Sequence, residues 1–329
     1  MLARTDSLGV SGLFVAAPAA FPAWARVEKP PESEAEAAFL AGAALNSLDN
    51  LVRSAPPWIG AWRQRLALKA AVASVARAGR SEAEAALRDT LHLTRPGADP
   101  GPAGRRLLAW RAVTEKLTGQ WQSAVTVAAQ ALLVPQDPPF YGAVEAAKAC
   151  AEGPLAAPFA AAKAFGLANR ALSSAVGRSS VGGRGGEGEF LSAGLADAVL
   201  AQKLHWPFVL PLLGVTLFPG SGRRAAGDVG EGSEMAHILS AYARAAAQAC
   251  DLFAELGRRA QKLQEAAPKL RAKGAGAAIE ALLDDDCLSA ATRIEGLSER
   301  GTRRLFERLV SLGAVRELTG RKTFRLYGL

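Results

Sequence analysis

The sequence has few residues of the kinds that build metal centres and disulfide frameworks. It contains three cysteines and three histidines, all far apart, and no C-x-x-C pair. An odd number of scattered cysteines supports neither a disulfide framework nor a zinc ribbon, and isolated histidines do not favour a transition-metal site. We therefore expect no metal and no cofactor, and the free cysteines suit a reducing cytoplasm.

Aromatic residues and long apolar runs are also scarce. Aromatics make up 6% of the 329 residues, while half of the chain is hydrophobic and alanine is abundant, which favours closely packed helices over sheets. The strongest apolar stretch, 206–219, is shorter than the ~20 residues that cross a membrane, and three prolines interrupt it. We expect no membrane partner and interpret this stretch as buried core or, alternatively, as a partner-binding patch.

The distribution of helical patterns and turn-rich gaps predicts three parts. Residues 1–21 are expected to form a flexible leader, because their apolar core is short and broken by proline. An all-α domain over 22–270 follows, and a winged helix-turn-helix domain over 274–329 closes the chain. The predicted fold class is therefore mainly α: a multi-helix body with a C-terminal winged helix-turn-helix that carries a short β-hairpin wing.

Two glycine-rich loops are predicted in the all-α domain, near 177–189 and 220–232. The first contains a G-x-G-x-x-G match at 183–188. That motif binds dinucleotides when a strand precedes it, and here a helix precedes it, so we interpret the segment as a linker. The acidic run 284–286 lacks calcium-loop spacing and is interpreted as a solvated helix end and turn.

The most specific signal lies in residues 289–329. Ser298 can cap a helix over 299–312, and Gly313 follows as a typical helix end. At 100° per residue, this helix gathers apolar and cationic side chains on opposite arcs. The inward arc comprises Thr302, Leu305, Phe306, Leu309, Val310 and Leu312, and the outward arc includes Arg300, Arg303, Arg304 and Arg308.

The neighbouring patterns complete a known order of elements. A helix is predicted near 277–283, and Ser289 is expected to cap a second, short helix that ends near Gly296. Strand patterns at 314–318 and 323–327 follow the basic helix, and in the second of them Phe324 and Leu326 alternate with Arg325 and Tyr327, which predicts a buried and an exposed side. A winged helix-turn-helix has this order of elements: helix, short helix, turn, basic helix and two-stranded ribbon. In that module the second helix of the pair enters the major groove.

The charge of this segment points to a polyanion. Residues 289–329 contain nine Arg or Lys and four Glu, so nine minus four gives +5 of the chain's formal +8. Arginines at i, i+3 and i+4 repel one another unless an anion binds there, and a phosphate backbone is such an anion. We predict double-stranded DNA as the partner, bound by Arg300, Arg303, Arg304 and Arg308 on the helix and by Arg321, Lys322 and Arg325 on the wing.

Other interpretations stay open. The same arginines could bind acidic residues of a protein, which would make the chain a non-catalytic protein–protein interaction module. An enzyme site in the helical body near His205 and Trp206 is a further alternative, although His205 is more typical of a packed or capping residue. A long helix over 234–267 offers a surface for a homodimer. The distal end of this helix is basic, which could extend the DNA contact, but the attraction of cations to the helix dipole explains these residues with fewer assumptions.

Two stretches carry a family resemblance. The tail RELTGRKTFRLYGL at 316–329, preceded by RLFERLVSLGAV at 304–315, resembles the end of a bacterial family named domain of unknown function 1403. PAWAR at 22–26 and PPWIGAWRQRLAL at 56–68 resemble recurrent blocks of the same family. This resemblance implies a family and no activity.

The tail is also similar to the winged helix that ends Fic-type AMP-transferases. The His-Pro-Phe and Gly-Asn-Gly-Arg motifs of those enzymes are absent, so nothing enzymatic is carried over. We predict a cytoplasmic bacterial DNA-binding protein that is not an enzyme and that regulates transcription or serves a plasmid or mobile element.

Overall fold

The computed structural model describes residues 20–95, 97–115, 121–176, 186–217, 231–319 and 324–329. Within these ranges the chain forms twelve α-helices and one three-stranded antiparallel sheet, which confirms the mainly helical architecture. The helices of the body are α1 (Glu34–Ser54), α2 (Ile59–Arg77), α3 (Glu84–Leu93), α4 (Gly101–Val113), α5 (Gln122–Ala131), α6 (Pro138–Glu152), α7 (Ala157–Val176), α8 (Glu187–Lys203), α9 (Leu212–Thr216) and α10 (Glu231–Ala266).

Helix α1 shows how local sequence sets the ends of an element. The Ser33 hydroxyl accepts the Glu36 N–H at 3.1 Å and caps the first turn. Ala55 ends the helix in a left-handed conformation (φ 40°), and two prolines follow it. The inward face of α1 is largely alanine, so α1 and α10 pack closely along their length.

The core is centred on α2 and α8, most of whose residues are buried, and on the inward face of α10. Every side chain of α8 from Phe190 to Ala201 is buried. Aromatic contacts join these helices to their neighbours: the ring centroids of Trp110 and Phe190 lie 4.3 Å apart, and Trp62 meets Phe253 edge-on at 5.2 Å. The alanine-rich helices thus enclose a few large aromatic anchors.

The apolar stretch 206–217 belongs to this core, as one of the two interpretations predicted. Trp206, Phe208, Leu210 and Leu213 are buried within it. The Trp206 indole N–H donates to the Asp49 carboxylate at 2.8 Å, which satisfies its one polar atom. None of the helices that the structure describes is both long and apolar enough to cross a membrane.

The glycine-rich loops are shorter than predicted. Helix α8 begins at Glu187, so 187–189 are helical, and Gly188 packs tightly against Leu172, where a Cβ would lie 3.2 Å from the leucine Cβ. Helix α10 likewise begins at Glu231. Gly186 stands at the start of α8, and residues 177–185 and 220–230 of the predicted loops and 1–19 of the predicted leader lie outside the described residues.

The C-terminal elements are α11 (Ala275–Asp284), β1 (Leu288–Ser289), α12 (Glu299–Ser311), β2 (Arg316–Glu317) and β3 (Leu326–Gly328). The strand order is β1-β3-β2, so β3 is central: Tyr327 lies opposite Leu288 on one side and Glu317 on the other. The predicted alternation of buried and exposed residues in 323–327 is wrong at Tyr327, because a central strand packed on α12 leaves this ring buried.

The predicted short helix between Ser289 and Gly296 is also wrong. Ser289 pairs with β3 instead of capping a helix, and residues 290–298 form turns. The Thr292 hydroxyl accepts the Ser289 N–H at 3.1 Å, and Gly296 adopts φ 77°, which a right-handed helix does not allow. Sheet pairing and turn geometry therefore override the local helical preference.

Candidate nucleic-acid interface

Helix α12 is the element on which the predicted interface depends. The Ser298 hydroxyl accepts the Gly301 N–H at 3.2 Å, which confirms the predicted cap, and Gly313 follows the helix at φ 67°, which confirms the predicted end. Leu305 and Phe306 are buried on the inward face, and the Phe306 ring lies 4.8 Å from that of Tyr327. The amphipathic pattern thus fixes which side of α12 meets the core.

One member of the predicted inward arc points elsewhere. Val310 is 39% exposed, because it lies at the edge of the arc, beyond the side chains of Leu309 and Phe306 that contact the sheet. The wheel angle alone therefore assigned it to the wrong environment.

The four arginines predicted on the outward arc are all exposed in the structure: Arg300, Arg303, Arg304 and Arg308. Arg303 lies 3.6 Å from Glu299, but both side chains are more than 60% exposed, so this pair contributes little. Among the described residues, the other three arginines have no carboxylate within salt-bridge distance. Since residues at i and i+4 are about 6 Å apart, three guanidinium groups follow one another along the helix without neutralisation.

The wing residues divide into those that the structure describes and those that it does not. Arg325 is exposed and lies 3.7 Å from Glu317 on the paired strand, so part of its charge is neutralised within the hairpin. Arg321 and Lys322 lie outside the described residues. The hairpin is closed by the Leu318 N–H, which donates to the Leu326 carbonyl at 2.8 Å.

The C-terminal elements are fixed to the body by a buried carboxylate. Asp286 accepts hydrogen bonds from the guanidinium groups of Arg65 on α2 and Arg88 on α3, and all three side chains are less than 10% exposed. Burial alone would raise the pKa of Asp286, but the two arginines outweigh it and lower the pKa to about 2. Asp286 is therefore ionised and paired at neutral pH.

The prediction of a solvated helix end and turn at 284–286 therefore holds for Asp284, which ends α11 and is exposed, and is wrong for Asp286. Beside the buried Asp286, Asp285 pairs with Arg111 of α4. Gly60 of α2 sits so close to the Asp284 backbone that a Cβ would overlap it. These contacts hold α11, and through it the sheet and α12, in one orientation on the body, so the arginine face keeps a fixed outward direction.

A sequence signal for this anchor exists but is easy to miss. Arg65 follows Trp62 by three residues, so helical spacing puts both on one side of α2. An arginine on an inward arc requires an acidic partner, because an unpaired buried charge is costly. The sequence does not indicate that the partner lies 221 positions away at Asp286.

The rival site near His205 has a structural explanation. His205 adopts φ 55° after α8, and the N–H of Trp206 donates to the Ala201 carbonyl at 2.9 Å, which together end the helix in a Schellman motif. The His205 side chain is exposed. Within the described part of the chain, no acid–base pair or nucleophile is arranged around it.

A histidine–cysteine contact also occurs elsewhere, where the Cys287 Sγ lies 3.3 Å from the His92 Nε2. Burial is the main reason that the pKa of Cys287 is raised and that of His92 is lowered. Both groups are therefore neutral at pH 7, and the thiolate that nucleophilic chemistry requires is disfavoured.

The comparison with known proteins gives a family for the chain. No curated protein matches the sequence. One family model matches residues 14–329, which is nearly the whole chain and includes both the helical body and the arginine face. The protein therefore belongs to the family described as protein of unknown function (DUF1403).

Proposed function

We propose that the protein binds double-stranded DNA through the outward face of α12 and acts in the bacterial cytoplasm as a regulator of transcription or of a plasmid or mobile element. The observation that carries this proposal is the row of arginines on α12. Three of them have no carboxylate partner among the described residues, and the fourth has one weak partner. A helix face that concentrates unpaired cations in one fixed orientation suits a phosphate backbone.

The order of elements supports the same proposal. Helix α11, strand β1, helix α12 and strands β2 and β3 follow one another, and the sheet order is β1-β3-β2. We interpret this as a winged helix-turn-helix in which α12 takes the place of the recognition helix and the β2–β3 hairpin is the wing. The turns at 290–298 stand where the first helix of the pair would be.

The proposed roles follow from the chemistry of the side chains. Arg303 and Arg304 lie at the middle of the exposed face, where a guanidinium group can contact a phosphate on any duplex and can reach guanine O6 and N7 together at a matching site. Arg300 and Arg308 lie nearer the helix ends and suit phosphate contacts. We assign Arg321, Lys322 and Arg325 to the DNA backbone along the wing, as predicted from the sequence.

The proposal is tested by the double variant Arg303→Ala/Arg304→Ala. Its affinity for a fluorescent duplex is measured by anisotropy at several salt concentrations. Log affinity decreases as log salt increases, and each lost phosphate contact makes this slope less steep by about 0.9. The slope of the double variant should therefore be less steep than that of the wild type by up to about 1.8. The melting temperature should not change, because both side chains are exposed.

A matched control is available on α7. Lys163→Ala/Arg170→Ala removes the same charge from two exposed positions of another helix, and Arg170 lies 3.7 Å from Glu234 much as Arg303 lies 3.6 Å from Glu299. This control should bind DNA like the wild type. Equal losses in both variants would show that only net charge matters, and the α12 face would not be the interface.

A protein partner is the second candidate, and Val310 is the observation that favours it. Its exposed side chain lies one turn from Glu307 and two turns from Arg303, on a mixed surface of the type that acidic, partly apolar proteins bind. Binding to DNA that barely changes with salt would support this candidate over the first.

The homodimer on the long helix stays a proposal, and the packing of α10 limits which of its faces could take part. Its predicted apolar stripe, for example Leu239, Phe253 and Leu256, is buried within the same chain. A mass measurement in solution, with and without duplex, decides the oligomeric state. A dimer through α10 would use the exposed polar face of that helix.

A further inference from the structure

We infer that a second cationic surface, on the distal part of α10 and the loop after it, contacts the phosphate backbone of the same duplex. We name this surface the α10 basic strip. It consists of five residues: Arg258, Lys262, Lys269, Arg271 and Lys273. The inference rests on the proposed function and extends it from one helix to a footprint that the body and the C-terminal elements share.

The charge of the strip is concentrated and unpaired. Residues 258–273 contain six Arg or Lys and one Glu, so six minus one gives +5. Arg259 is excluded from the strip, because it pairs with Glu255 at 2.5 Å. The five members of the strip are exposed, and none has a carboxylate within salt-bridge distance among the described residues.

The helix dipole accounts for Lys269, which lies in the last turn of the 3-10 segment Ala267–Lys269 that continues α10, but it does not account for Arg258 and Lys262. The attraction of cations to a helix C-terminus is confined to about the last turn. The last turn of α10, which ends at Ala266, contains no basic residue. Arg258 and Lys262 lie eight and four residues before that end, and at i, i+4 they repel each other. A bound anion removes this unfavourable interaction.

The C-terminal end of the strip lies close to the start of α12. Gly274, the next residue after the strip, packs on the turn that leads into α12: a Cβ there would lie 2.5 Å from the Glu295 carbonyl oxygen and 2.7 Å from the Leu297 Cγ. This turn ends at Ser298, the cap of α12. Lys273 is therefore a close neighbour of the helix that carries Arg300.

The dimensions of the strip suit a duplex. Arg258 and Lys269 are eleven residues apart, which is about 16 Å at the helical rise of 1.5 Å per residue. Duplex DNA presents about one phosphate charge per 1.7 Å of its axis, so this length faces about ten charges. Because phosphate contacts carry no base information, the strip should add affinity and leave the choice of sequence to α12.

The test uses the full chain with Arg258→Ala/Lys262→Ala, the two strip residues that the dipole explains least. Affinity for two duplexes of different sequence is measured by anisotropy across a salt series. The slope of log affinity against log salt should become less steep by about 1.8, because two phosphate contacts are lost and each contributes about 0.9. The ratio of the two affinities should stay as in the wild type, whereas Arg303→Ala/Arg304→Ala should change it.

Each result distinguishes the inference from the proposed function. One outcome would overturn the inference alone. In it, wild type binds DNA and Arg303→Ala/Arg304→Ala loses binding, but Arg258→Ala/Lys262→Ala binds as the control Lys163→Ala/Arg170→Ala does. The proposed function would then stand. If wild type binds no duplex even at low salt, both are wrong. Should Arg258→Ala/Lys262→Ala melt earlier than wild type, the loop variant Lys269→Ala/Lys273→Ala replaces it, and an unchanged slope there overturns the inference equally.

Discussion

The substitution Asp286→Ala tests how the C-terminal elements are held on the body. It removes the carboxylate that both Arg65 and Arg88 contact inside the protein. Arg88 keeps a partner, because its guanidinium group also lies 3.1 Å from Glu84. Arg65 keeps only long contacts of 3.4 Å to the carbonyl oxygens of residues 286 and 329. One buried charge is thus left without a carboxylate.

The expected magnitude follows from this difference. Removal of one partner from a buried ion pair costs about 3–5 kcal/mol, since the other charge stays desolvated. We expect Asp286→Ala to lower the free energy of unfolding by this amount. Urea unfolding, followed by tryptophan fluorescence and by far-ultraviolet circular dichroism, gives the midpoint and the slope.

The neighbouring residue provides the control. Asp285 pairs with Arg111 in a partly exposed position, and Arg111 keeps a 2.7 Å hydrogen bond to Gln64. Asp285→Ala should therefore cost only about 1–2 kcal/mol, one exposed pair plus one hydrogen bond. If the two alanine variants unfold at the same urea concentration, the buried anchor does not have the role that we assign to it.

Three further predictions concern pH, packing and helix capping. The pKa of Asp286 is about 2 in the folded chain and 3.8 in the unfolded chain, so about 2 kcal/mol of its contribution is present above pH 4 and lost as pH falls towards 2. In an acid titration, the difference in stability between wild type and Asp286→Ala should therefore shrink by about 2 kcal/mol over this range, and a constant difference would contradict the ionised pair. Leu309→Ala should destabilise by about 2–5 kcal/mol and Val310→Ala by less than about 1 kcal/mol, because only Leu309 is buried; similar thermal shifts would contradict the face assignment. Ser298→Ala should lower the stability of α12 by about 1 kcal/mol, and Ser298→Asp should restore it, because aspartate can also cap the helix. Amide hydrogen exchange in the first turn of α12 measures this change, and an unchanged exchange rate in the alanine variant would exclude the cap.

The features that local sequence controls could be predicted. The start of α12 at Ser298 and its end at Gly313 depend on residues within one turn, and so does the burial of Leu305 and Phe306. The exposed positions of Arg303 and Arg304 follow from the same helical periodicity. The mainly helical class follows from composition.

The features that distant residues control could not be predicted. Asp286 looks like part of a solvated acidic turn until Arg65 and Arg88, about 200 positions away, surround it. The segment after Ser289 has a helical pattern, but pairing with β3 captures Ser289 and a hydrogen bond to Thr292 starts a turn. In both places a tertiary contact outweighs a local preference.

The most direct test is the salt dependence of DNA binding by the intact protein. A duplex of random sequence is titrated at several salt concentrations, and log affinity is plotted against log salt. On such a duplex we expect one phosphate contact from each of Arg300, Arg303, Arg304 and Arg308. Four contacts at about −0.9 each predict a slope at least as steep as about −3.6. A slope near zero, or no binding at low salt, would contradict the proposal that these arginines face outward to meet DNA.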